Sequence, residues 1–216
     1  MKSCLIVIDV QESFRHRPYS TERDIPAYLA AQNALIEGCM ARDLPVVRVL
    51  HVDGPKTVAN PFALESGHVT ALVGLVDFTP AASFIKARHS ALVGTGLDVW
   101  LTQNGIGRLI ISGIRTEQCC ETTTRHASDL GWVVDYVLDA TLSWDMEQPG
   151  GSLLSAAYVT VIHNGVLLQN HTMITGGTRY IGAPTYKIHG ALPIKLQDHG
   201  DKSEPISFRN IWIRDL

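Results

Sequence analysis

The chain has 216 residues, 45% of them apolar and 18% charged, enough for one substantial core with an appendage or for two small domains. Its formal charge of −3 and the lack of any Lys/Arg block leave no electrostatic footprint for nucleic acid or an anionic membrane surface, so a small-molecule substrate is expected. The opening "MKSCLIVIDV" soon meets Asp9, Gln11 and Glu12; it reads as neither a signal peptide nor a membrane span, and the cytoplasm is the expected compartment.

"CLIVIDV" (4–10) is a short continuous apolar run, as in a buried parallel strand. "IPAYLAAQNALIEGCMARD" follows with apolar residues at helical spacing, and "PVVRVLHV" reads as the next strand. After a Gly/Pro-rich stretch, "SFIKA" predicts a strand, "GLDVWLTQNG" a helix closed by a glycine, "RLIISGI" a strand, 117–130 a helix and "WVVDYVL" a strand. Trp100 is expected in the core, and Gly94-Thr95-Gly96 lacks the third glycine and the first-strand position of a phosphate loop. Strands alternating with helices predict an α/β fold: a doubly wound parallel sheet with helices on both faces. Past about residue 155 the pattern becomes β-rich, with a hairpin signal at Asn164-Gly165 and further strands in "LPIKLQDHG" and "ISFRNIWIRDL". The expected division is therefore 1–155 and a β-rich tail, 156–216.

In a doubly wound sheet, ligands sit at the carboxyl ends of the strands. Asp9 ends the first strand, Lys86 lies in "FIK" and Cys119 closely follows "LIISGI", so the three converge on one site as a candidate triad. Asp9 takes the thiol proton in this reading, and Lys86 supplies a positive field that favours thiolate. With Thr116 as N-cap, Cys119 falls at the third helical position, where free N–H groups and the helix dipole also favour the anion. Cys120, about 100° away, shares the sheet-facing stripe with Thr123, Ala127 and Leu130. Cysteines 4, 39, 119 and 120 show no metal-ligand spacing, and adjacent cysteines close a disulfide only with strain, so reduced thiols are expected. Singly, each of the three residues is an ordinary cap, surface lysine or core thiol; joint placement makes them a site.

"LIVIDVQESF", "FIKARHSALVGTGLDVWLTQNGI" and "LIISGIRTEQCCETTTRHASDLGWVVDYVLDAT" together resemble the isochorismatase-like cysteine hydrolase family, over about residues 3 to 155. The resemblance selects Cys119, three residues after Thr116, as nucleophile, with Asp9 as base and then acid, also activating the hydrolytic water, and Lys86 keeping Asp9 ionised. It further implies a cis peptide between Ile114 and Arg115, and an oxyanion hole from the backbone N–H groups of Arg115 and Cys119. It implies no organic cofactor. Nicotinamidases of the family carry an Asp-x-His and a further histidine that hold a metal; His51, Asp53 and His68 depart from that spacing, so a metal-free site is expected. Specificity in the family comes from loops matching 11–20, 51–70 and 143–150 here, with Phe14, His89 and Trp144 as candidate pocket residues.

The expected reaction is hydrolysis of a C–N bond in a small amide, ureido or carbamoyl compound through an acyl-enzyme. The alternatives are vinyl ether hydrolysis of the isochorismatase type, which family members perform without the cysteine, a catalytically impaired binding protein, and a redox role for Cys119-Cys120. The tail, in "VTVIHNGVLLQN", "GGTRYIGAP" and "HGALPIKLQDHGDKSEPISFRNIWIRDL", resembles the last strands of a 3-keto-disaccharide hydrolase or concanavalin-like sandwich domain. It stands where the hydrolase family places its last helix and edge strand. An edge left open invites association, and a homo-oligomer is expected.

Overall fold

A computed structural model describes residues 1–144, 158–163 and 166–173. Five strands form one all-parallel sheet: β1 (Lys2–Ile8), β2 (Val46–His51), β3 (Ala82–Lys86), β4 (Ile106–Ile114) and β5 (Val133–Leu142), in the order β3-β2-β1-β4-β5. Helices α1 (Ile25–Met40), α2 (Leu97–Gln103) and α3 (Glu121–Asp129) connect them, and single 3₁₀ turns at Glu12–His16 and Leu64–Ser66, which no periodicity announces, shape the loops.

The run "CLIVI" is apolar throughout because β1 is the middle strand, covered on both sides. Cys4, Ile6 and Ile8 join Leu97, Leu101, Leu109, Ile111 and Ala127 under α2 and α3. Leu5 and Val7 face the other way, with Ile25, Tyr28 and Ile36 of α1. Period-two alternation thus feeds two cores from one strand, each fully buried large side chain contributing about 1.5–3 kcal/mol.

The chain runs outward from β1 through β2 to β3, then returns to the other side of β1 for β4. This reversal places a crevice between the ends of β1 and β4. Gly113 sits there with φ +133°, so close to β1 that a Cβ would overlap the Ile8 carbonyl. Only glycine fits this approach.

Two local expectations are corrected. Residues 116–120 are one π-helical turn, Thr116–Cys120, that runs into α3, and the N-cap is the extended Arg115, not Thr116. The Thr116 hydroxyl donates instead to Thr141 Oγ1 of β5 at 3.0 Å, and the Arg115 carbonyl accepts the N–H of Cys120 at 3.2 Å. The bond to β5 takes the hydroxyl that would have capped the helix, and the local five-residue Arg115–Cys120 bond widens the turn, so Cys119 is the fourth residue of the turn rather than the third. Leu130, placed by periodicity on the packing stripe, lies just past the end of α3 and is 53% exposed, whereas Cys120, Thr123 and Ala127 of that stripe are fully buried.

Strands β6 (Tyr158–His163) and β7 (Val166–Met173) pair antiparallel around positions 164 and 165, as the hairpin signal predicts. The strands expected in 192–216 and the pocket segment 145–150 lie outside the described residues. All described residues belong to the compact unit Met1–Ile174. None of their helices is long and apolar enough to cross a membrane.

Candidate active site

Three strand ends supply the centre of the site. Asp9 follows β1 with φ +55°, a left-handed conformation that aspartate tolerates better than most residues, and its N–H donates to the Val49 carbonyl at 2.8 Å. Lys86 is the last residue of β3, two strands away; its stem reaches across the end of β2 to place Nζ 2.7 Å from Asp9 Oδ2. Both side chains have no solvent exposure. Cys119 projects from the π turn after β4, with Sγ 3.2 Å from Lys86 Nζ. The sheet order thus brings Asp9, Lys86 and Cys119 to one point.

Lys86 has a third partner. His51, which ends β2 and faces Lys86 in register, sets Nδ1 3.3 Å from Nζ. An ammonium has three hydrogens and no acceptor, so the contacts with Asp9, Cys119 and His51 use all three, and His51 must be neutral with its proton on Nε2. Burial and the Lys86 charge push the His51 pKa down to about 4, in keeping with that tautomer. Gln11 fixes the histidine in turn: its amide oxygen accepts the His51 N–H at 2.7 Å and its nitrogen donates to the His51 carbonyl at 3.0 Å. That nitrogen also donates to Ser13 Oγ at 2.8 Å, and Gln11 is fully buried. Neither Gln11 nor the His51–Lys86 contact was read from the sequence as part of the triad. The available signal is a polar residue two positions past Asp9, and a histidine ending the strand beside Lys86.

Burial sets the proton positions. It lifts Asp9 to about 6, with Lys86 and the Cys119 thiol pulling the other way. No hydroxyl or backbone N–H among the described residues donates to this carboxylate. Burial opposes the charge on Lys86, but Asp9 and Cys119 outweigh it and hold the pKa above the usual lysine value. For Cys119 the expectation of a depressed pKa is reversed: burial and the Asp9 charge push the thiol up to about 12 against the pull of Lys86. With Cys119 only 4% exposed, desolvation outweighs any helix-end field. Near neutral pH the resting site is therefore a thiol beside a carboxylate–ammonium pair, and a thiolate forms only as its proton moves.

The other predicted residues surround this centre. The Ile114–Arg115 peptide is cis. The Arg115 guanidinium pairs with Glu117 at 2.6 Å and lies over the Tyr19 ring. His89 is exposed, three residues past Lys86, with Nδ1 3.9 Å from Cys119 Sγ. Phe14 and Trp144 are buried in an aromatic cluster, 5.8 Å apart between centroids, with Trp144 Nε1 donating to the Thr21 carbonyl. Phe62 joins Phe14 in that cluster at 5.0 Å and meets the His51 ring at 5.8 Å. His68 stacks on His16, and Asp53 is exposed. The structure does not gather His51, Asp53 and His68, and among the described residues no three His, Cys, Asp or Glu side chains are grouped to hold a metal ion. All four cysteines are free thiols.

A cysteine beside a buried carboxylate–lysine pair, at the switch point of a parallel sheet, is an arrangement that suits thiol chemistry in an α/β hydrolase. The isochorismatase domain model matches residues 3–163, and the chain belongs to the isochorismatase family of cysteine hydrolases. It is 27% identical over 171 residues to the isochorismatase family protein YrdC of Bacillus subtilis strain 168, covering 79% of this chain and 88% of that one. The crystal structure of an isochorismatase-type protein of Burkholderia xenovorans LB400 superposes with a TM-score of 0.62 at 29% identity, covering 69% and 71% of the two chains. The fold is shared with N-carbamoylsarcosine amidase of Thermoplasma acidophilum, at a TM-score of 0.56 and 23% identity over 69% of this chain and 87% of that one. Residues 141–214 match a second model, the 3-keto-alpha-glucoside-1,2-lyase-like domain, which overlaps the first at 141–163.

Proposed function

We propose that the protein hydrolyses a C–N bond of a small amide, ureido or carbamoyl compound, with Cys119 as nucleophile. The observation that carries this reading is the Cys119 thiol set 3.2 Å from the Lys86 ammonium, which is itself paired with the buried Asp9. Asp9, ionised above about pH 6, takes the Sγ proton as sulfur bonds to the carbonyl carbon. It then gives that proton to the departing amine as the C–N bond breaks. Lys86 keeps Asp9 ionised and stands beside the negative charge developing on sulfur. Backbone N–H groups of Arg115 and Cys119 are assigned to the carbonyl oxygen as it gains charge. Water then cleaves the thioester. Kinship in fold with an amidase supports the C–N choice.

An ammonia-release screen over small amides, ureas and carbamates tests this, with Cys119→Ala as the blank. Turnover by the native protein and none by the variant is expected. A second reading, vinyl ether hydrolysis, draws on the raised Asp9, a carboxyl able to donate a proton near pH 6. It is favoured if no amide is cleaved and a vinyl ether substrate is turned over equally by Cys119→Ala.

A further inference from the structure

Among the described residues, every arginine but one pairs with a carboxylate or donates to a backbone carbonyl. The exception is Arg17, an exposed residue whose guanidinium makes neither kind of contact and lies over the Phe62 ring, 5.1 Å from its centroid. Its backbone is held on both sides: the N–H donates to the Phe14 carbonyl and the carbonyl accepts the Ser20 N–H, each at 3.0 Å. Arg17 closes the 3₁₀ turn Glu12–His16, and residues three apart in such a turn share a side, which sends Arg17 toward the cluster that Phe14 enters. Phe62 is the common neighbour, meeting Phe14 at 5.0 Å and the His51 ring at 5.8 Å. His51 contacts Lys86 Nζ, so the Arg17 guanidinium stands two rings away from the ammonium beside Cys119. Phe62 takes water off one face of that guanidinium. No acid of the chain balances it: Glu12 and Glu22, the acids closest to it in sequence, both pair with Arg15.

We propose that Arg17 is a specificity-determining residue: it binds a carboxylate that the substrate carries at the end remote from the scissile bond, so that the compound hydrolysed is an acidic amide, ureido or carbamoyl compound. This rests on the cysteine hydrolase reading above and narrows its substrate class. The substrate lies along the edge formed by Phe62 and His51, with its carbonyl carbon at Cys119 and its carboxylate on the Arg17 fork. A planar guanidinium offers parallel N–H donors that match the two oxygens of a carboxylate. The chain as a whole, at a formal charge of −3, repels an anion, so the attraction has to be local. Because the carboxylate is remote from the reacting carbon, Arg17 holds it equally in the ground state and in the transition state. Its loss therefore acts on KM rather than on kcat.

The test compares two activated esters that differ only at the far end of the acyl chain: mono-p-nitrophenyl adipate, which ends in a carboxylate, and p-nitrophenyl hexanoate, which ends in a methyl group. Nitrophenolate release gives kcat and KM for each. The native protein should favour the adipate. Arg17→Met keeps most of the stem and removes the charge, and it should lower the adipate-to-hexanoate ratio of kcat/KM about tenfold or more, through KM. Arg17→Lys should retain part of the preference, and added salt should weaken it in the native protein. Equal kcat/KM for the two esters in the native protein, a preference that survives Arg17→Met, or a fall shared by both esters overturns the role of Arg17; acylation mapped to Cys119 in the same experiment leaves the cysteine hydrolase reading standing. Release at the native rate by Cys119→Ala, or no acyl group on Cys119 from either ester, refutes that reading, and the role of Arg17 with it.

Discussion

Replacing Lys86 with methionine keeps most of the stem and removes the charge that faces Asp9 at 2.7 Å. Both groups are fully buried, so the change leaves an uncompensated carboxylate in a dry site, at a cost of about 3–5 kcal/mol near pH 8. The loss should shrink on acidification. In the native protein Asp9 is raised from 3.8 to about 6, so the folded state binds the proton more tightly than the unfolded state. This group therefore lowers stability as pH rises from about 4 to about 6, by up to about 1.4 kcal/mol per pH unit, and has no further effect above that window. Without Lys86 the opposing pull on Asp9 is gone, its pKa moves above 6, and the window extends upward. Urea unfolding of Lys86→Met at pH 8 and pH 5 should show a destabilisation that is large at pH 8 and recedes at pH 5, with unchanged denaturant slopes. The double variant Asp9→Asn, Lys86→Met removes both charges and should recover most of the stability lost at pH 8, although it is inactive. Destabilisation of the double variant equal to the sum of the two single ones, with no pH dependence in Lys86→Met, refutes the buried pair.

Three further outcomes are expected. The value of kcat/KM for any amide found should rise with pH through about 6 as Asp9 ionises, and Asp9→Asn should abolish turnover; a profile flat from pH 5 to 8 contradicts a base in that range. Gly113→Ala should lose about 4 kcal/mol or more, because its Cβ overlaps the Ile8 carbonyl at a φ that L-residues avoid; a urea midpoint within about 1 kcal/mol of native contradicts the close β1–β4 approach. An isolated 156–216 fragment should not unfold cooperatively, since about 60 residues of strand-like sequence are too few for a two-sheet core; a fragment that unfolds cooperatively contradicts this.

The meeting of Asp9, Lys86 and Cys119 was legible because it follows from topology. Alternating strands and helices fix a parallel sheet, strand ends converge at its switch point, and each residue stands at or just after such an end. The turn at Thr116 was not legible, because its geometry depends on a hydroxyl in β5, 25 positions along the chain. Cys119 acidity was misread for a related reason: the sequence gives a helix start, but not the desolvation that dominates at 4% exposure. Gln11 and His51 are joined across 40 positions by bonds between the Gln11 side-chain amide and the His51 backbone, which leave no spacing signature. His89 was read only as a pocket residue. Its contact with Sγ appears once β3 is seen to end at Lys86.

The most direct test of the central claim is acid quench during turnover of an amide substrate, followed by peptide mass mapping. The account predicts the substrate's acyl group on Cys119, none on Cys120, unaltered turnover in Cys120→Ala and neither adduct nor product in Cys119→Ala. An acyl group on another residue, or product formation by Cys119→Ala at the native rate, contradicts it.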